Sequence, residues 1–311
     1  MMDTILGAGG AVGAELVKEL ARAGRPVRLV GRKPVRVEGA TEIFAADLSD
    51  RDRTIEAVSG SSVVYLLVGL KYDFQVWRAM WPRIMSNAIE ACKRANAKLV
   101  FFDNVYMYGK VDGLMTEQTP FNPCSRKGEI RAQIATTLLN EIKTGGLQAM
   151  IARSADFYGP RAKTGVPNVL VLDKYAKKST AYWLVNDTVR HSFTFTPDAA
   201  RGLVLLANTD SAWKETWHLP TAANSLTGKE FIATAAKEFG VQPKYRVLSR
   251  PMVRIAGWFD SDVRESYEML YQSESEYLFD SSKFTEAFAF EPTSYARGIR
   301  LTAATYGLPA S

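Results

Sequence analysis

From the N-terminus to Gly159 the chain alternates short apolar blocks with longer stretches whose apolar residues recur every three or four positions. The blocks "TILGA" (4–8), "PVRLVG" (26–31), "TEIFAAD" (41–47), "SVVYLLVG" (62–69), "AKLVFFD" (97–103) and "LQAMIARS" (147–154) read as strands. They are largely apolar at consecutive positions, the pattern of strands buried on both faces in a parallel sheet covered by helices. Between them, "AVGAELVKELARAG", "RDRTIEAVSG", "FQVWRAMWPRIMSNAIEACKRAN" and "GEIRAQIATTLLNEIKTGG" have helical spacing. In the last of these, Ile130, Ile134, Leu138 and Ile142 form one stripe four residues apart, which predicts a buried face. The repeated alternation predicts an α/β fold, a Rossmann-type doubly wound parallel sheet, with ligands at the carboxyl ends of its strands.

Beyond Gly159 the pattern loosens. "TFTPDAARGLVLLAN" (194–208) reads as strand, turn and helix, "TGKEFIATAAKEFG" (227–240) as a helix, and "SRPMVRIAGWFDSDVRESYEMLYQ" (249–272) as helical after its proline. No second complete sheet, internal repeat or flexible linker is visible. The expectation is a nucleotide-binding domain over 1–158 and a small substrate-binding lobe over 159–311, with 190–210 returning to the first domain.

Composition narrows the setting. With 311 residues and 47% hydrophobic content, the chain can bury a large core. It has no apolar run long enough to span a bilayer, and its start lacks a secretory pattern. Cys92 and Cys124 make no framework, so a cytoplasmic location and no membrane partner are expected. The two histidines, His191 and His218, are far apart in sequence, and no metal site is expected. A net charge of +6 raises nucleic acid as a partner, but Arg22, Arg25, Arg28, Arg32, Lys33 and Arg36 crowd one short stretch that has a local use.

That use comes from "ILGAGGAVGAEL" (5–16). Gly7, Gly9, Gly10 and Gly13 end a strand and open a helix, where a backbone can approach a phosphate and the helix N-terminus offers N–H groups; Val12 belongs to the same turn. The bland alternative is a glycine-rich turn with no ligand. The second strand ends in Gly31, Arg32 and Lys33, where an NAD-selective site usually has an acid. Arg32, helped by Lys33 or Arg36, suits a 2′-phosphate, so NADP(H) is expected over NAD(H); stacking of Arg32 on the adenine is the other reading. Asp47 after the third strand suits the adenine amino group, with Leu48 against the ring, or else it is a helix N-terminal acid. Val68, after the fourth strand, is counted with the cofactor contacts.

The order of these pieces, with "DNVYMYG" after the fifth strand, "ADFYGP" after the sixth and "TFTPDAARGLVLLA" later, resembles the extended short-chain dehydrogenases/reductases of the NAD(P)-dependent epimerase/dehydratase family. The resemblance covers nearly the whole chain and implies a sheet of about seven strands with a small C-terminal lobe. It also implies hydride transfer at a secondary alcohol or ketone, using a Ser/Thr after the fifth strand and a Tyr with a Lys four residues on. Matched through Ser125 and Gly128, the family's tyrosine position holds Lys127 and its lysine position Arg131. Asn104 takes the serine position, and Trp81 that of a helical asparagine. Lys127 is then the expected proton donor, its ammonium form disfavoured by Arg131, and Arg131 the contact to the nicotinamide ribose. An ordinary basic helix start is the competing reading. Tyr106 is a replacement acid or a pocket wall, and Tyr108 is structural. Tyr72, Trp77, Tyr158 and His191, with Trp258 or Met269, are the expected substrate-pocket residues, whereas His218 faces the core. Three functions follow as expectations: an NADP(H)-dependent oxidoreductase on a small-molecule carbonyl or secondary alcohol, a silent NADP(H) sensor, or a nucleotide-sugar epimerase/dehydratase. Pairing into a homodimer is expected by analogy with the family.

Overall fold

The computed structural model describes residues 2–7 and 9–307. Strands β1 (Met2–Leu6), β2 (Val27–Gly31), β3 (Glu42–Ala45), β4 (Ser61–Leu66) and β5 (Lys98–Asp103) form a parallel sheet with strands Ala149–Arg153 and Thr216–His218. Its order is Thr216–His218, Ala149–Arg153, β5, β4, β1, β2, β3. The strand order reverses between β1 and β4, the place where such sheets open a crevice. Each of the six strands predicted before Gly159 is present; β1 begins two residues earlier than predicted and β4 one, and the others are trimmed by one to three residues.

Helices cover both faces. On one lie α2 (Arg51–Val58), α3 (Phe74–Ala95) and α4 (Arg126–Lys143), and the stripe Ile130, Ile134, Leu138 and Ile142 is buried as its spacing predicts. On the other lie α1 (Ala11–Arg22) and the helix Thr196–Ala207, packed around Leu16, Leu20, Leu203 and Leu206. Burying branched side chains on both faces removes apolar area from water at about 25 cal/mol per Å², which holds the three layers together.

The C-terminal lobe contains short strand pairs rather than a second large sheet. Strand Asp156–Tyr158 runs parallel to Phe193–Phe195, with Phe193 opposite Asp156. The predicted helix over 249–272 is three pieces, Arg250–Phe259, Ser261–Ser266 and a 3-10 turn Tyr267–Ser273. Asp260 ends the first piece in an extended conformation and accepts hydrogen bonds from Asp262 and Val263, so its side chain restarts the chain as a new helix.

Candidate active site

A long cavity follows the carboxyl edge of the sheet from the β1–α1 turn to the C-terminal lobe. At its first end, Gly7 has φ +105°, and a Cβ there would stand 2.7 Å from the backbone of Val68. Only glycine lets β1 and the β4 end approach this closely. Gly9, Gly10, Val12 and Gly13 also line this end. Among the described residues no side chain caps α1, whose N-cap is Gly10, so the helix start presents its first-turn N–H groups as an anion would use them. These features fit a phosphate-bearing ligand.

The basic stretch divides into two groups. Arg22 pairs with Glu19, Arg25 with Asp3, and Arg28 with Glu42, so these three are structural. Arg36 bonds the carbonyl of Ala40 at 3.0 Å and is not on the cavity wall. Arg32 and Lys33 remain at the cavity rim, and among the described residues Arg32 makes no ion pair. Asp47 lines the rim too. Its carboxylate accepts from the Ser49 backbone and hydroxyl at 2.9 and 2.8 Å, bonds that hold its pKa low. The helix-cap alternative for Asp47 does not apply, because Asp50 caps α2 through Arg53 N–H. Leu48 and Val68 complete this wall.

The second end is built on α4. Ser125 caps it by accepting from Gly128 N–H at 3.1 Å. A Cβ on Gly128 would stand 2.6 Å from the Tyr106 carbonyl, so glycine lets the helix start press on the turn after β5. From this point Lys127 and Arg131 leave in different settings.

The proton-donor role expected for Lys127 is corrected by its surroundings. The side chain is wholly buried and is not part of the cavity lining. Its Nζ donates to Glu265 Oε2 at 2.7 Å, to the Glu265 carbonyl at 2.9 Å and to Glu268 Oε1 at 2.9 Å. An ammonium has three donors, and all three are used. Its charged partners are two carboxylates rather than Arg131. Lys127 instead fastens the segment 250–273, which walls the cavity, to the sheet domain: Glu265 also accepts from Phe74 N–H, and Glu268 from Arg126 N–H, each at 2.9 Å.

Arg131 does reach the cavity wall, but its guanidinium is held by Asp103, with Nε to Oδ1 at 2.7 Å and a second bond to the same oxygen. It also lies over Trp81 at 4.4 Å and Phe101 at 5.1 Å. Asp103 is fully buried, with its other oxygen 3.8 Å from Arg153 Nε. Asp103, the last residue of β5, has no evident role in the sequence, because only the fold brings Arg131 and Arg153 to it.

Asn104, Tyr72, Trp77, Tyr106 and His191 all line the cavity. Asn104 Oδ1 accepts from Tyr106 N–H at 3.1 Å, which leaves the amide NH2 as a donor. Burial pushes the Tyr72 and Tyr106 phenols well up, and the Asp156 carboxylate adds to both, so neither ionises near neutrality. Trp77 ties its indole N–H to the Lys71 carbonyl at 3.0 Å. Tyr158 is a second correction. It packs in the lobe core among Phe195, Phe231 and Tyr295 and does not line the cavity. Met269 is on the wall, whereas Trp258 is exposed on the outer surface.

The pairing of His191 with Asp156, Nε2 to Oδ2 at 3.1 Å, was not foreseen. Asp156 lay within the quoted "ADFYGP", but only the register of the two parallel strands brings it to His191. His218, by contrast, is core as expected. Arg153 donates to Tyr108 Oη at 2.6 Å, Tyr108 O–H to His218 Nε2 at 2.8 Å, and His218 Nδ1–H to the Asp280 carbonyl at 2.7 Å. Burial drives the His218 pKa down to about 3.

Comparison with known proteins agrees with this architecture. The structure is similar to the UDP-glucuronic acid 4-epimerase of Bacillus cereus in complex with UDP-glucuronic acid and NAD (TM-score 0.81, 18% identity, 99% of each chain). It is also similar to the UDP-glucose 4-epimerase of Thermus thermophilus in complex with NAD (TM-score 0.79, 18% identity, 99% of each chain). A third similar structure is the dTDP-glucose 4,6-dehydratase of Streptomyces venezuelae with NAD and TYD bound (TM-score 0.80, 16% identity, 99% of this chain and 97% of that one). No curated protein matches the sequence. The description "NAD dependent epimerase/dehydratase family" matches residues 4–219, more than half of the chain, and spans the glycine turn, the β5 end and the last strand of the sheet, so the chain belongs to that family.

Proposed function

We propose that this protein is an NADP(H)-dependent oxidoreductase acting on a carbonyl or secondary alcohol. The observation that carries the reading is the cavity itself. It joins a glycine cradle, with Arg32 and Lys33 at the β2 end where an NAD-selective site has an acid, to a far end lined by Asn104, Tyr106, Asp156 and His191. A nicotinamide dinucleotide would be held by the N–H groups of the α1 start and by Arg32. It would supply or accept the hydride. The protein would fix the substrate oxygen through the Asn104 amide and exclude water with the segment 250–273.

The first test is binding of NADPH and NADH followed by nicotinamide fluorescence. NADPH should bind at least tenfold tighter. Arg32→Ala should weaken NADPH by about 10- to 100-fold, the loss of charge-assisted hydrogen bonds of about 1.5–3 kcal/mol, and leave NADH nearly unchanged. Equal affinity in the wild type refutes the NADP(H) assignment. The second is turnover of a carbonyl panel with NADPH; tight binding without turnover points to a silent redox sensor instead. A nucleotide-sugar substrate is the other reading, favoured by the names of the similar structures and by the basic Arg161 and Lys163 on the lobe side of the cavity. UDP and UDP-sugars as competitors of carbonyl turnover decide between the two.

A further inference from the structure

The Tyr and Lys positions of the family are given over here to ion pairs, which leaves the proton of the reaction without a donor at residues 127 and 131. We infer that the His191–Asp156 pair supplies it. The inference rests on the oxidoreductase reading above and assigns the acid–base group of that same site.

Four observations support it. Both residues line the cavity, beyond the carboxyl end of Ala149–Arg153, on the same wall as Ser154 and Ala155. Asp156 Oδ2 lies 3.1 Å from His191 Nε2; a carboxylate only accepts, so Nε2 carries the hydrogen and Nδ1 is the nitrogen left to exchange a proton. No protein partner for Nδ1 is found among the described residues. The ring is held between two parallel aromatic faces, Phe193 with centroids 4.5 Å away and Tyr277 at 4.3 Å, so its plane is fixed. Finally, Trp81 Nε1 is a buried donor without a partner among the described residues, and Trp81 lines the cavity. A buried donor left unpaired calls for an acceptor, and a substrate carbonyl or hydroxyl oxygen is one. The phenols of Tyr72 and Tyr106, which face Asp156, are held protonated and do not compete as bases.

In the reducing direction the carbonyl carbon gains a hydride with its electron pair, which a reduced nicotinamide dinucleotide supplies, and the C=O π pair moves onto oxygen. That oxygen takes the Nδ1 proton of the His191 imidazolium, leaving neutral imidazole bonded to Asp156. The carbonyl is reduced, the nicotinamide is oxidised, and solvent restores the proton. A histidine suits this because a carboxylate on one ring nitrogen fixes the tautomer and leaves the other nitrogen to exchange a proton.

The test uses the full chain. The first readout is independent of turnover. Long-range proton–nitrogen NMR of the side chains of its two histidines should show the Nε2–H tautomer for His191, and an Nδ1–H tautomer overturns the assignment. In the second, the wild type, His191→Ala and Asp156→Asn are assayed with NADPH on the best carbonyl of the panel, with NADPH affinity measured alongside. The expected result is unchanged NADPH affinity, a turnover rate at least 100-fold lower in His191→Ala, and recovery of at least tenfold on adding imidazole. The alanine leaves a flat slot between Phe193 and Tyr277 that imidazole fits. Activity in His191→Ala within threefold of wild type, or no recovery with imidazole, overturns the inference and leaves the oxidoreductase reading intact. A wild type that binds NADPH and reduces nothing overturns that reading, and this inference with it.

Discussion

Replacing Lys127 by Met separates a structural from a chemical role. Methionine keeps much of the side-chain volume but removes the ammonium from between Glu265 and Glu268. Breaking a buried ion pair by deleting one partner costs about 3–5 kcal/mol, because the remaining charge stays desolvated. Here the lysine is wholly buried, but each glutamate side chain keeps 19% of its surface exposed. Water can therefore reach the orphaned carboxylates, and we reduce the expectation to about 2–3 kcal/mol. The loss should depend on pH. Burial pushes the Glu265 pKa up, but the bonds from Lys127 and Phe74 N–H outweigh it and hold it below 4.5. A depressed carboxylate stabilises the fold above its unfolded pKa and ceases to as pH falls through the folded value. The gap between wild type and Lys127→Met should then be full at pH 7 and shrink below about pH 4.5. Urea unfolding followed by tryptophan fluorescence measures both. Adding Glu265→Gln and Glu268→Gln to Lys127→Met should recover at least half of the loss at pH 7, since the unpaired charges are then gone. A single variant within about 0.5 kcal/mol of wild type, the scatter of ordinary surface changes, refutes the ion-pair account. So does a triple variant no better than the single one. A loss of turnover with intact stability would return Lys127 to the catalytic role expected from the sequence.

Two further expectations concern the core of the site. The unfolded chain binds a proton at His218 near pH 6.5 that the folded protein excludes down to about 3. Stability should therefore fall by about 1.4 kcal/mol per pH unit from this group as pH drops below 6.5, and His218→Gln should flatten that limb in urea unfolding between pH 6.5 and 5. Gly7→Ala combines a left-handed φ with a 2.7 Å approach to Val68 backbone, and we expect about 2–4 kcal/mol of lost stability together with lost NADPH binding; a variant that binds NADPH as wild type does would show that the turn adapts.

The sequence by itself determined the sheet, the helices that cover it and the glycine turn. These rest on local properties: consecutive apolar positions, a four-residue stripe from Ile130 to Ile142, and glycines at a strand–helix junction. It also placed Lys127 and Arg131 four residues apart at the start of one helix, behind Ser125. It did not determine what either side chain meets. Whether Lys127 faces a substrate or Glu265 depends on a segment some 138 residues away, and the tertiary fold alone brings those groups to 2.7 Å. Asp103 became the counter-charge of Arg131 only when β5 and α4 packed together, and Asp156 met His191 only through the register of two short strands. Periodicity records which way a side chain faces within its own element. Charge pairing across elements leaves no periodic trace, so the chemistry of this site was decided by the packing.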